Sequence, residues 1–116
     1  MKDWTSIRER YLRDGIPVRL GGLAANMRRI NSFAAQEAGR EAIASLLEES
    51  KFFIEWTAPD TQTETAAQLV ELQIQLARWQ YKWPEIWPDS AKRQLVAEQS
   101  VVWSDRILAM SGLLAV

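Results

Sequence analysis

The sequence predicts an all-α protein, an up-and-down helical bundle made of three long helices and a short N-terminal helix. Between stretches that contain glycine and proline, apolar residues recur three and four positions apart, as on one face of an amphipathic helix. No segment shows sustained alternation of apolar and polar residues, and no Asn-Gly or Asp-Gly pair joins two alternating runs. A length of 116 residues is that of one domain, so a single bundle is predicted over residues 1–116.

The first helix is predicted to be short. Ser6 and Glu9 have the spacing of a capping box, so this helix should begin near Ser6, and it should stop at Gly15. The last long helix is predicted to open at Asp89 or Ser90, after a proline-containing stretch, and to continue almost to the C-terminus.

The second helix is predicted to be long. It should start between Pro17 and Gly22 and run to about Trp56, ahead of a proline. Its apolar stripe rotates by roughly a third of a turn between the two halves, and Gly39 lies between them. This rotation fits a kink or a break at Gly39, or a straight helix that changes partner. Strong helix formers on both sides favour one continuous helix, straight or bent.

The third helix is predicted to follow a capping box at Thr61 and Glu64. It should end near Lys82, because Pro84 disfavours helical geometry at the residue before it. Its apolar residues form two stripes, and a helix that is apolar over more than half its circumference should lie centrally, against two or more neighbours. The stripes are Leu69, Leu72, Leu76, Trp79 and Trp83, and Ala66, Val70, Ile74, Ala77 and Tyr81.

Three aromatic residues are candidates for an interface. Phe52 and Trp56 project away from the main stripe of the second helix, so either the N-terminal helix or a second subunit must cover them. Trp87 follows the predicted end of the third helix and either caps the hairpin corner or protrudes. We therefore take Phe52, Trp56 and Trp87 as candidate interface residues, with a homodimer as the expected assembly.

Four polar residues fall close to apolar faces. Gln99 and Arg106 lie one heptad apart in the stripe of the last helix, and Gln73 and Gln80 lie one heptad apart between the stripes of the third. A polar layer of this kind can specify helix register or oligomeric state. The alternatives are a core pocket for a polar small molecule, and side chains that extend outward to solvent.

The composition argues against an enzyme. The chain contains no histidine and no cysteine, which removes the commonest general base, the commonest metal ligand and thiolate chemistry. No metal-binding, phosphate-binding or nucleophile motif replaces them. We predict a non-catalytic interaction or oligomerisation module without a cofactor, and the alternative is a regulator that binds a small molecule.

Charge is distributed unevenly along the chain. Residues 1–40 carry eight Lys and Arg against four Asp and Glu, and residues 41–116 carry six against eleven. The basic part either docks on the acidic remainder, which we favour, or forms a nucleic-acid-binding face, which has less support. The absence of cysteine, of a long apolar run and of a secretory signal predicts a cytoplasmic protein without a membrane segment. The arginines of the alternative basic face are Arg8, Arg10, Arg13, Arg28 and Arg29.

Overall fold

The computed structural model describes residues 2–113, and every regular element in this range is helical, which confirms the all-α class. The first position and the last three positions of the predicted bundle lie outside the described residues. The α-helices are α1 (Trp4–Arg13), α2 (Ile16–Ala34), α3 (Gly39–Thr57), α4 (Thr63–Ile86) and α5 (Ser90–Ser111), with a 3-10 turn over Ala58–Asp60.

Helix starts depend on which side chain reaches the first free amides. Asp3 caps α1, because its carboxylate accepts hydrogen bonds from the backbone amide and the hydroxyl of Ser6 at 3.2 and 2.8 Å. The predicted start at Ser6 is therefore wrong by two residues. The predicted start of the last helix is confirmed, since Asp89 accepts from the amides of Ala91 and Lys92 at 3.0 and 3.2 Å.

The predicted long second helix is wrong: it is two helices, α2 and α3, separated by residues 35–38. The turn is tight, and the amide of Gly39 donates to the carbonyl of Gln36 at 3.0 Å. A Cβ at Gly39 would lie only 2.0 Å from the carbonyl oxygen of Phe33. The rotated apolar stripe thus belongs to two helices with different directions, and glycine is needed where the end of α2 meets the start of α3.

Helix α4 differs from its prediction at both ends. Its N-cap is Gln62 without a side-chain cap, and the Thr61 hydroxyl instead donates to the carbonyl of Ala58 at 2.8 Å. The helix passes through Pro84 and ends at Ile86. Proline removes only one amide from this last turn, and burial of Trp83 and Ile86 on the same turn offsets that loss.

Helix α2 packs most extensively against α5 and then against α3, while α3 also packs against α4. Small residues allow the close approach of α2 and α5: the Ser104 hydroxyl donates to the carbonyl of Ala24 at 3.0 Å, and a Cβ at Gly21 would lie 2.8 Å from Leu113. The largest fully buried apolar side chains are Leu20, Leu23, Met27, Ile30, Ile43, Leu47, Ile54, Leu69, Leu72, Leu76 and Ile107.

Candidate functional site

Helix α1 covers two of the three predicted interface residues. The ring of Trp4 lies 4.4 Å from that of Phe52 and 6.4 Å from that of Trp56, between ring centroids. Tyr11 adds a contact of 5.9 Å to Trp56. The sequence leaves two sources of cover open, the N-terminal helix and a second subunit, and the cover seen within the chain comes from the N-terminal helix. Both Phe52 and Trp56 are half-buried.

A buried hydroxyl network holds α1 in this position. The Tyr11 hydroxyl donates to the carbonyl of Arg19 at 2.8 Å and accepts from the Thr57 hydroxyl at 3.2 Å. Burial raises the pKa of Tyr11 to about 12. Because these three residues belong to α1, α2 and α3, the network joins the N-terminal helix to the bundle.

Trp87, the third predicted interface residue, covers the corner between α4 and α5. Its ring is half-buried, 5.8 Å from the ring of Trp83. The guanidinium of Arg93 lies 4.8 Å from the Trp87 ring centroid and donates to the Trp87 carbonyl at 3.1 Å. The contacts are those of a cap on the hairpin corner.

The predicted polar residues lie in separate places. Gln73 donates to the carbonyl of Lys51 at 3.3 Å, and Gln80 accepts from the Lys51 ammonium at 2.9 Å. Helix α4 therefore brings Gln73 and Gln80 together against α3, where Lys51 joins them.

Arg106 and Gln99 belong to the side of α5 that faces α4. The Arg106 guanidinium donates to Gln68 at 3.3 Å and to Glu71 at 3.5 Å, and it lies 3.9 Å from the ring centroid of Trp103. Gln68 and Glu71 lie on the flank of α4 away from Gln73. Gln99 is half-buried. No hydrogen bond within residues 2–113 joins Gln99 or Arg106 to Gln73, Gln80 or Lys51.

An open groove follows the contact between α3 and α4. One section has a volume of about 250 Å³, and an adjoining section of about 510 Å³ lies towards the N-terminus of α1. The two sections share Glu48 and Gln80. The α3–α4 groove, as we call the smaller section, is lined by Glu48, Lys51, Phe52, Glu55, Gln73 and Gln80.

Ion pairs connect the basic N-terminal part of the chain to the acidic remainder. Arg19 pairs with Asp60 at 2.9 Å, and Arg28 pairs with Asp105 at 2.6 Å. Lys2 lies 3.8 Å from Glu49. These contacts are the docking that we favoured for the uneven charge distribution.

An exposed apolar surface lies on α4, where the sequence predicts a helix contact. Val70, Ile74 and Tyr81 are 45%, 50% and 81% exposed. Helix α4 does contact two neighbouring helices, α3 and α5, but this second stripe is covered by neither within the described chain. Ala66 is half-buried, and Ala67 lies on the exposed face in its place. The α4 stripe, as we call the exposed set, consists of Ala67, Val70, Ile74, Ala77, Tyr81 and Pro84.

The spacing in the sequence shows the α4 stripe, but it does not tell which of the two stripes faces the core. That choice depends on tertiary packing, because the helices that contact α4 are α3 and α5, and neither covers the α4 stripe. Leu95 and Val102 on α5 are also exposed, at 53% and 58%. They lie beyond the polar contact between Glu71 and Arg106, so they are separate from the α4 stripe.

Comparison with protein-family models, with curated proteins and with solved structures gives no significant match. Among residues 2–113, no helix is both long enough and apolar enough to cross a membrane. In the same range, no three acidic side chains are grouped closely enough to hold a metal ion.

Proposed function

We propose that the protein is a non-catalytic, cytoplasmic oligomerisation module that forms a homodimer through the α4 stripe. The observation that carries this proposal is the exposure of six apolar or small residues along one face of one helix. Their spacing alternates between three and four residues, which is the spacing of the contact line between two paired helices. A contiguous exposed patch of this kind is typical of an interaction surface.

The gain from pairing comes from burial of the large side chains. Val70, Ile74 and Tyr81 keep about half or more of their surface exposed to water in the monomer. Completing their burial contributes roughly 1 kcal/mol for each side chain, by the usual relation between apolar area and free energy. Because both copies contribute the same residues, these three side chains contribute roughly 6 kcal/mol to the dimer, the small residues of the stripe add further apolar area, and the cost of association offsets part of this gain.

This surface replaces the aromatic interface that the sequence predicts. Phe52 and Trp56 contact α1, and Trp87 contacts Trp83 and Arg93, so their large rings already have partners within the chain. The α4 stripe has none of comparable extent, since Tyr81 is 81% exposed. Absence of cysteine agrees with a cytoplasmic setting for this assembly.

Sedimentation equilibrium over 5–500 micromolar protein tests the proposal, and a dimer is expected at the upper end of that range. Ile74→Glu should abolish the dimer, and it should lower the thermal stability of the monomer no more than Val102→Glu does, because the two side chains are exposed to a similar degree. The matched control is Val102→Glu, which changes an equally exposed apolar residue on α5 and should leave the dimer intact. A wild-type chain that stays monomeric throughout would refute the proposal.

A second candidate function is the binding of a small polar molecule in the α3–α4 groove. The specific observation is that this groove contains both charge signs, with Lys51 between Glu48 and Glu55, beside the amides of Gln73 and Gln80. A molecule with an ammonium and a carboxylate group fits such a lining.

Titration with free amino acids, followed by tryptophan fluorescence and melting temperature, tests this candidate. Binding should be lost in Lys51→Met and retained in Lys82→Met, which removes an exposed lysine of α4 outside the groove. No response from any amino acid at millimolar concentration would remove this candidate and leave the proposed dimer unaffected.

A further inference from the structure

We infer that the two copies of α4 pair in the antiparallel direction, with the two-fold axis between Gln75 and Leu76. This inference rests on the proposed homodimer and specifies its orientation and register. In this arrangement Val70 lies opposite the partner's Tyr81, and Ile74 lies opposite the partner's Ala77. Ala67 then lies opposite the partner's Pro84.

Side-chain size favours this direction over the parallel one. Each contact layer of the antiparallel pair combines a smaller residue with a larger one, such as Val70 with Tyr81 or Ala77 with Ile74. A parallel pair would place Tyr81 against the partner's Tyr81 and Ala77 against the partner's Ala77. The tyrosine layers would then hold too much side-chain volume and the alanine layers too little, which lowers the packing density of the contact.

Charge on one flank of the α4 stripe favours the same direction. Glu71 and Arg78 lie one heptad apart on this flank, and both are exposed. In the antiparallel register Glu71 comes close to the partner's Arg78, and the two-fold axis repeats this pair. In a parallel pair the residues of this flank would instead face Gln73 and Gln80 of the partner, which carry no charge.

The ends of the same flank carry acidic residues. Glu64 comes close to the partner's Glu85 in the antiparallel register. This repulsion is reduced because Lys82 lies 3.6 Å from Glu85 and because Glu64 is in the first turn of α4, where the helix dipole favours negative charge. The central Glu71 and Arg78 pairs therefore determine the direction.

The opposite flank is uncharged and already engaged within the chain. Gln73 and Gln80 make their hydrogen bonds to Lys51 of α3. They would face the same two glutamines of the partner in the antiparallel register, without repulsion. This flank is therefore compatible with the antiparallel direction that Glu71 and Arg78 favour.

Charge reversal tests the register with two full-length variants, Glu71→Arg and Arg78→Glu. Each variant alone places like charges opposite each other at two symmetric positions, so its dimer should weaken by roughly tenfold. An equimolar mixture should regain wild-type affinity, because the heterodimer restores both oppositely charged pairs. Melting temperatures of the monomers should stay near wild type, because Arg78 is exposed and the Glu71 contact with Arg106 at 3.5 Å is a surface ion pair that contributes little to stability.

Disulfide trapping gives a second measurement, and the chain has no cysteine of its own to interfere. A mixture of Ala67→Cys and Pro84→Cys should form a disulfide-linked heterodimer under mild oxidation, since these positions face each other in the antiparallel register. Ala67→Cys alone should not form a linked dimer, because its two copies are at opposite ends of the contact.

The outcomes separate this inference from the proposed function. Restored affinity and heterodimer trapping in the mixtures would establish the antiparallel register. Trapping of Ala67→Cys alone, or charge variants that dimerise like wild type, would overturn the register while leaving the homodimer in place. A wild-type chain that remains monomeric would overturn both.

Discussion

Substitution of Gly39 by alanine should destabilise the protein strongly, although alanine is the better helix former. A Cβ at this position would lie 2.0 Å from the carbonyl oxygen of Phe33 and 2.9 Å from its carbonyl carbon. Both are backbone atoms, so no side-chain rotation can relieve the contact.

The size of the effect follows from the movement that the methyl group requires. To reach an ordinary contact of 3.4 Å, the start of α3 must move away from the end of α2 by about 1.4 Å. This movement loosens Ala34 and Ile43, which are buried on either side of the turn. Overpacking that displaces backbone costs about 3 kcal/mol, which lowers the melting temperature by roughly 12 °C for a chain of this size.

Gly22→Ala is the matched control. The added Cβ would lie 3.9 Å from Tyr11, an ordinary contact, in the interior of α2. This variant should gain about 1 kcal/mol, because alanine loses less backbone entropy than glycine in a helix. Urea unfolding followed by circular dichroism measures both variants, and the two free energies should change in opposite directions. Equal stability of Gly39→Ala and wild type would refute the turn between α2 and α3.

Three further predictions concern single buried or helical positions. Stability should fall as the pH rises from 10 to about 12, by about 2 kcal/mol, because Tyr11 keeps its proton in the folded state up to about pH 12 but ionises near 10 when unfolded. The unfolding free energy of Tyr11→Phe should not show this fall with pH. At neutral pH it should be about 1 kcal/mol lower than that of the wild type, because the hydrogen bonds of the hydroxyl are lost. Pro84→Ala should raise the melting temperature by a few degrees, because it restores one amide to the last turn of α4; an unchanged or lower value would contradict this account. Asn26→Ala should lose about 2 kcal/mol, because Asn26 is 1% exposed and donates to Ser50 and Glu49 at 3.2 Å; a chemical-denaturation midpoint equal to wild type would exclude that role.

The candidate sites show how far local pattern extends. Spacing alone placed Gln73 and Gln80 on one side of their helix, and the structure joins both to Lys51. The spacing did not predict that Arg106 contacts Glu71, because that contact depends on how α4 and α5 pack against each other. The aromatic residues Phe52 and Trp56 were recognisable as needing cover, yet only the path of α1 decided that Trp4 provides it.

The helical class and the capping of α5 by Asp89 can be predicted from the sequence, because periodicity and side-chain capping are local interactions. The sequence also determined that α4 has two apolar stripes. The break before Gly39 becomes visible only in the folded chain, where it lets α2 pack against α5 while α3 packs against α4. Packing of α4 against α3 and α5 leaves Val70, Ile74 and Tyr81 facing solvent, since the burial of a stripe depends on where other helices pack and not on its own spacing.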